Sequence, residues 1–478
     1  LFHDRVAATP DAPWLTAGDS TWTFAGAAIR TDRAAAGLRG LGITRGDRVV
    51  VVARNTAEVI FVWLALMEVG AVEVPMNPAA TDTERAGLLA QVQPVAVLDD
   101  ADLATLVQTE RHDDGRPAAA VMPDDVAVMI PTSGTTGRSK LVMQTHRAYV
   151  MAGEGFPHWM GLTAEDRLLT SLPLFHINAP AYSVLGSVAV GAGLVLLPSF
   201  SASTFLDDAR RTGATEFNAI GAMLEILMRQ PERADDRDHD LRRCYTGPSP
   251  ERARHLEIEQ RFGFEIVCGY ALSESPYGLI WRHGTRPYGT LGSPRQHPTL
   301  GHVNDARVRV DGRPAPVGTV GELELRSPAV MSGYYDMPDE TAAVIEDGWL
   351  RTGDLVQENA DGTYTFVGRA KEVIRRRGEN LAPTEVEAAL EHHDSVAEAA
   401  VVGVPSELSE EEVKAFVTAA PGRTVDPDEL HTFVSGQLAG FKVPRYLEVV
   451  DELPHTPTGR IAKHLLPRER TPEETDHG

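Results

Sequence analysis

One run of small, hydroxylated and basic residues stands out. Thr132-Ser133-Gly134-Thr135-Thr136-Gly137-Arg138-Ser139-Lys140 follows directly on the apolar run Val126–Ile130. Glycines let main-chain amides approach an anion closely, while hydroxyls and one ammonium supply further donors. The pattern suits a phosphate. It lacks the Gly-Lys-Ser/Thr ending of a Walker loop, so it is a cradle of another kind. Two carboxylates stand in similarly marked surroundings. Glu274 closes Gly269-Tyr270-Ala271-Leu272-Ser273-Glu274, and Asp354 closes Trp349-Leu350-Arg351-Thr352-Gly353-Asp354. Taken alone, Asp354 is more often a loop cap and Glu274 a solvated carboxylate.

The charge balance narrows the partners. Lys plus Arg number 45 and Asp plus Glu 68, a net charge of −23. So acidic a surface repels phosphate backbones and anionic lipid, which disfavours nucleic acid and membranes. An anionic ligand then needs a local basic or amide-lined site, and Arg375-Arg376-Arg377 is one basic island. The two cysteines, Cys244 and Cys268, are too few for a disulfide framework or a cysteine metal site. No apolar run approaches the length of a membrane span. No signal-like opening is seen, and a cytoplasmic location is expected.

The elements that must hold these residues follow from periodicity. Arg48–Ala53, Val72–Val74, Val95–Leu98, Leu168–Ser171, Leu194–Leu197, Glu216–Ile220 and Glu265–Cys268 read as strands separated by helical stretches such as Thr56–Val69 and Asp82–Val92. That alternation predicts doubly wound parallel sheets. After Leu291 short strands among Gly and Pro turns predict a small antiparallel, barrel-like part. The fold class expected is α/β: a large N-terminal domain, 1–369, and a smaller, mobile α+β C-terminal domain, 370–478. The polar tail after Pro467 is expected to fray.

The phosphate loop resembles that of the adenylate-forming superfamily: acyl-CoA synthetases, peptide-synthetase adenylation domains and beetle luciferases. Further motifs recur in order. Pro173-Leu174-Phe175-His176 resembles the segment bordering the acyl pocket. Thr246-Gly247-Pro248-Ser249-Pro250 takes the place of the stretch beside the adenine, an imperfect match. Gly368-Arg369-Ala370-Lys371-Glu372 resembles the hinge, and Gly378-Glu379-Asn380 the segment lining the thiol tunnel.

The resemblance implies a set of roles. Thr132, Ser133, Gly134, Thr135, Thr136, Gly137, Lys140, Thr246, Gly247, Tyr270, Ser273, Asp354 and Arg369 would bind the nucleotide, with Tyr270 on the base and Asp354 on the ribose. Glu274 would hold Mg²⁺, Lys371 would be the pivot, and His176 would gate the thiol channel. Phe175, Asn178, Gly221, Ala222, Gly269, Ala271 and Leu272 would form the acyl pocket. Arg377, Gly378, Glu379 and Lys442 would meet coenzyme A. Small residues at 221, 222 and 247 leave room for a bulky acid or are ordinary packing positions. Phe175-His176-Ile177-Asn178-Ala179 has no aspartate for an α-amino group, which disfavours amino acids.

One departure matters. The last family motif ends Gly-Lys, but here it reads Gly459-Arg460, with Lys463 three residues on. Lysine is a compact point charge, whereas arginine is a broad planar fork. The expectation is an enzyme that makes an acyl-CoA thioester from an acyl-adenylate and CoA, releasing AMP, with the ATP-dependent half-reaction impaired at Arg460. A partner ligase would then supply the adenylate. The alternatives are a complete two-step ligase, with Arg460 or Lys463 serving adenylation; loading of a carrier protein; and a non-catalytic nucleotide-binding homologue.

Overall fold

Four valines in succession fill the strand Arg48–Val52, where branching at Cβ favours extended backbone. The helix Ala57–Val69 that follows is apolar on nearly every side and almost wholly buried, and Gly70 ends it at φ +76°. The chain then returns as Val72–Met76, parallel to Arg48–Val52. This strand–helix–strand unit recurs along the first part of the chain. The computed structural model describes residues 1–109, 120–132, 140–247, 249, 252–282, 284–310, 312–369, 374–381, 383–406, 410–454, 461 and 463–478.

Two compact units result. The first comprises Leu1–Pro78, Gln93–Pro131 and Leu141–Gly368. It carries a nine-stranded sheet in the order Ser293–Pro294, Ser275–Ile280, Glu265–Leu272, Arg243–Thr246, Glu216–Asn218, Arg167–Thr170, Gly193–Leu196, Pro13–Ala17, Ser20–Thr23. From Glu265–Leu272 to Pro13–Ala17 every pairing is parallel. A six-stranded sheet is ordered Gly333–Tyr334, Lys140–Thr145, Val126–Thr132, Val72–Met76, Arg48–Val52, Ala96–Asp99. The antiparallel part is a third, six-stranded sheet built on Asp305–Val310, Val320–Arg326 and Trp349–Glu358. The fold is the expected α/β one, with two differences inside it. Ser275–Ile280 extends the parallel sheet antiparallel, and Gly333–Tyr334 leaves the antiparallel region to edge the second sheet.

The second unit holds Arg369–Gly478 together with Ala79–Val92, Thr132 and Lys140. Its four-stranded sheet runs Val396–Pro405, Glu411–Ala419, Tyr446–Val449, Thr475–Asp476. The last strand corrects the expectation of a frayed tail. The Lys414 side chain is fully buried, and its ammonium meets Glu448 at 2.8 Å and Glu474 at 2.7 Å, with Thr471 Oγ1 accepting at 2.9 Å. A buried ammonium needs such partners, and here they come largely from the tail. The guanidinium groups of Arg445 and Arg470 lie 5.1 and 4.8 Å from the Tyr446 ring. The helix Asp82–Val92 also belongs to this unit: Thr81 Oγ1 donates to the Gln437 carbonyl at 2.8 Å. Among the described residues no helix is long and apolar enough to cross a membrane.

Candidate functional site

In open parallel sheets ligands bind beyond the carboxyl ends of the strands. In the first unit those ends carry Thr170, Asn218, Thr246 and Gly269–Leu272. Glycine is required at Gly269 and at Gly247, the residue that follows Thr246. A Cβ on Gly247 would lie 2.3 Å from the Gly269 carbonyl oxygen, and one on Gly269 would lie 2.8–3.0 Å from the Tyr245 ring, its hydroxyl and Arg295. Gly247 and Gly269 thus have a packing reason to be small. Arg295 is itself fully buried: it donates to Tyr182 Oη at 2.8 Å and to Tyr245 Oη, and sits over the Trp159 ring at 4.6 Å. Such a braced layer fixes the strand ends above it.

Tyr270 leaves this layer and donates its hydroxyl proton to Asp354 Oδ2 at 2.6 Å. Asp354 is buried in the strand Trp349–Glu358, and its main-chain N–H donates to Thr352 Oγ1. Four residues beyond Tyr270, Glu274 Oε1 accepts from Tyr334 Oη at 2.9 Å, and the Glu274 carbonyl accepts from the Met331 N–H. Burial pushes the Tyr334 phenol up, with the Glu274 charge adding to it, so the phenol stays a donor. The Ser273 carbonyl accepts from Gln144 Nε2 at 2.6 Å. One braced carboxylate is what Mg²⁺ takes from a protein when substrate phosphates complete its shell, and Glu274 fits that description. Asp354 keeps acceptor capacity beyond the Tyr270 bond, as any carboxylate does, which fits a ribose. Thr246 is buried at the end of Arg243–Thr246.

The segment Leu172–His176, expected to border an acyl pocket, is held by a residue that periodicity did not single out. Asn55 Nδ2 donates to the Leu172 carbonyl at 2.8 Å, and Asn55 Oδ1 accepts from the Leu174 N–H at 2.9 Å. Beyond that turn the Phe175 and His176 rings lie 4.7 Å apart, and the His176 N–H donates to the Pro173 carbonyl. Asn178 precedes a π-helical turn, Ala179–Val184, and its Oδ1 accepts from Asn218 Nδ2 at 2.6 Å. Gly221 is buried at the start of the helix Gly221–Met228. Ala271 and Leu272 are half-buried against the core, and the Ala222 side chain lies outside the described residues.

In the second unit Thr132 Oγ1 donates to the Lys140 carbonyl at 3.2 Å. Ser133, Gly134, Thr135, Thr136 and Gly137 lie outside the described residues, as do Lys371 and Arg460. Arg369 ends the strand Tyr364–Arg369; only its main chain is described. The basic island is divided. Arg376 is buried against Glu412 at 2.7 Å and donates to the Val443 carbonyl, while Arg377, at φ +54°, is exposed. Burial lowers the Arg376 pKa, with Glu412 opposing. The Gly378 N–H donates to Glu410 Oε2, and Glu379 opens the short strand Glu379–Leu381. Lys442 is held between Glu84 at 2.9 Å and Glu385 at 2.7 Å. Burial pulls its pKa down, but the two carboxylates outweigh burial and hold it above the ordinary value. Its ammonium braces two helices. Lys463 meets Glu387 at 2.5 Å.

Asn55, Gln144, Asn218, Arg295 and Tyr334 were missed in the sequence. Each acts across a long stretch of chain, and a lone Asn or Tyr has no local signature.

The profile of the family described as AMP-binding enzyme matches residues 2–335, and that of the AMP-binding enzyme C-terminal domain matches 385–460. A crotonobetaine/carnitine–CoA ligase of Salmonella agona is 31% identical over 467 residues, with 89% of each chain covered. Among solved structures, a double mutant of o-succinylbenzoate CoA synthetase (MenE) from Bacillus subtilis, bound with its product analogue OSB-NCoA, superposes with a TM-score of 0.88 at 26% identity, covering 98% of both chains. The amide bond synthetase McbA from Marinactinospora thermotolerans superposes at 0.84 with 28% identity, covering 97% of this chain and 98% of that one.

Proposed function

The chain belongs to the AMP-binding enzyme family, within the adenylate-forming superfamily, and on that premise we propose that it is an acid–thiol ligase that forms an acyl-CoA from an acyl-adenylate. The observation that carries the reading is the pair of braced carboxylates in one unit: Asp354 held by Tyr270, and Glu274 held by Tyr334. The similarity to CoA ligases supports the acceptor.

In this proposal residues 1–369 bind acid and nucleotide, and 370–478 form a mobile domain pivoting at Lys371. Asp354 receives the ribose hydroxyls, Tyr270 stacks on the base and Ser273 meets phosphate, while residues 132–140 carry the phosphate-binding motif. Mg²⁺ held by Glu274 would neutralise charge on the phosphates. A thiol then attacks the acyl carbonyl, the bond to AMP breaks, and AMP leaves with the electron pair. His176 borders the thiol path, and Arg377 with Gly378 and Glu379 meets CoA. The proposed location is cytoplasmic, by analogy with the bacterial ligases.

Arg460 sets the finer part of the reading: it stands where the superfamily carries a bridging lysine, so the enzyme takes acyl-adenylate from a partner ligase more readily than it makes its own. Lys463 is held by Glu387, which disfavours it as the substitute. The test supplies either acyl-AMP and CoA, or free acid, ATP and CoA, and measures thioester and pyrophosphate. Thioester from the first mixture with little pyrophosphate from the second is expected. Robust ATP–pyrophosphate exchange would leave a complete two-step ligase.

The similarity to an amide bond synthetase favours a second reading, in which an amine replaces the thiol. Replacing CoA with a panel of amines in the same assay decides between them.

A further inference from the structure

A group of buried polar atoms surrounds the Asn178–Asn218 pair, beside the segment proposed to border the acyl pocket. The strand Glu216–Asn218 has Arg167–Thr170 on one side, with Phe217 level with Leu169. That register puts Thr170 level with Asn218 on a strand about 4.8 Å away, and Ser171 follows the end of that strand. The π-helical turn Ala179–Val184 packs on both strands.

Asn218 is 1% exposed, and its Nδ2 is spent on Asn178, yet its Oδ1 has no hydrogen-bond partner among the described residues. The same holds for Ser171 Oγ and for Ser183 Oγ on the π-helical turn. It holds too for both carboxyl oxygens of Glu216, two residues before Asn218 and so on the same face of the strand. Burial pushes the Glu216 carboxyl well above its ordinary range, with Asp166 adding to it.

Buried polar atoms in native proteins are nearly always satisfied, and leaving one unpaired is costly. Five such atoms, on the strand Glu216–Asn218, just past the end of Arg167–Thr170 and on the turn that packs on both, are a costly arrangement for a core. Local π-helical turns are themselves frequent at functional sites. The chemistry required is specific. Asn218 Oδ1 is an acceptor only, and the two serine hydroxyls can give or take a proton. A bound group that satisfies Asn218 must bring a hydrogen-bond donor.

We infer that the acyl pocket selects carboxylic acids carrying a hydroxyl or N–H donor remote from the carboxylate, with Asn218 as the principal acceptor and Ser171 and Ser183 completing its surroundings. Asn178 orients Asn218 by taking one of its amide protons. The inference rests on the ligase reading for the identity of the pocket, and it deepens that reading by naming the substrate class.

The test uses pairs of acids that differ only in a hydroxyl or its methyl isostere, on aromatic and aliphatic frames of several lengths. Each acid is supplied as its acyl-adenylate with CoA, and kcat/KM for thioester formation is measured on the whole protein. A hydroxyl preference of at least roughly tenfold is expected for a frame of suitable length, a modest floor for a site built to hydrogen-bond a substrate group. Asn218→Leu should abolish the preference by lowering the hydroxylated rate and raising the methylated one. Ser171→Ala, a gentler change, should narrow it. Equal rates within every pair, or a preference that neither variant alters, would overturn the inference and leave buried water as the partner of these atoms.

Saturation-transfer NMR with the same acid pairs and AMP separates the two readings. Selective binding of the hydroxylated acids without thioester formation would sink the ligase reading alone. Equal binding within pairs would sink this inference alone.

Discussion

The phenol of Tyr270 and the carboxylate of Asp354 meet at 2.6 Å although 84 residues separate them in the chain. One belongs to the nine-stranded sheet and the other to the antiparallel sheet. The bond therefore ties the proposed base-stacking ring to the proposed ribose acceptor, so a change at either position is felt at both.

Asp354→Ala is expected to weaken acyl-AMP binding by about 1.5–3 kcal/mol for each charged hydrogen bond lost. Tyr270→Phe should cost less, because the ring remains. In calorimetry the double variant should lose less than the sum of the two single losses, as coupled neighbours do. Strict additivity would separate the two roles, and unchanged affinity in Asp354→Ala would remove that carboxylate from the site.

Arg460→Lys should raise ATP–pyrophosphate exchange by about two to three powers of ten, on the order of 3–4 kcal/mol of transition-state stabilisation. Thioester formation from acyl-AMP should change little. Lys463→Ala should leave both half-reactions near wild type, because its ammonium serves Glu387. Loss of exchange in that variant would make Lys463 the working lysine.

Glu73 gives a pH prediction. It is buried in Val72–Met76, and burial pushes its carboxyl from an ordinary value of 4.5 up to about 8. The folded state therefore binds the proton more tightly than the unfolded one. The stability this provides is complete below about pH 4.5 and is lost as the pH rises through 8. Glu73→Gln, which cannot ionise, should flatten the melting-temperature profile between those values and raise the melting point at its alkaline end. An unchanged profile would mean that the carboxyl is solvated.

Lys414→Met removes the ammonium that Glu448 and Glu474 share. A buried pair broken on one side typically costs ~3–5 kcal/mol. Denaturant unfolding should show that loss, and protease should cut first in the segment after Pro467. Keeping the lysine while replacing Glu474 with Gln should cost less, since Glu448 remains. A Lys414→Met protein with its tail still protected would show that the strand pairing of Thr475–Asp476 is sufficient by itself.

The sequence was most legible where chemistry is local. Repeated strand–helix alternation foretold the parallel sheets because each strand carries its own β-branched signature, as Arg48–Val52 does. Glu274 and Asp354 could be singled out because each sits in a motif of contiguous residues. What held them could not. Tyr334 lies 60 residues from Glu274 and Gln144 lies 129 from Ser273, and such contacts leave no trace in local periodicity. The basic island was legible as charge but not as geometry. Alternation along Ile374–Arg376 buries the outer residues of that strand, and Arg376 goes in with them. The tail read as frayed because its polar composition hides that its acidic groups meet a lysine buried far upstream.

The helix Asp82–Val92 sits early in the chain yet belongs physically to the carboxy-terminal unit, through Thr81 with Gln437 and Glu84 with Lys442. Cooperative folding follows contacts, not chain order. Amide hydrogens from Arg85 to Val92 should therefore exchange at rates shared with the last hundred or so residues, not with their neighbours in sequence. A fragment cut after 369 would carry Glu84 without its cation and Thr81 without its acceptor. Dissecting the protein at its linear boundary would thus damage both halves.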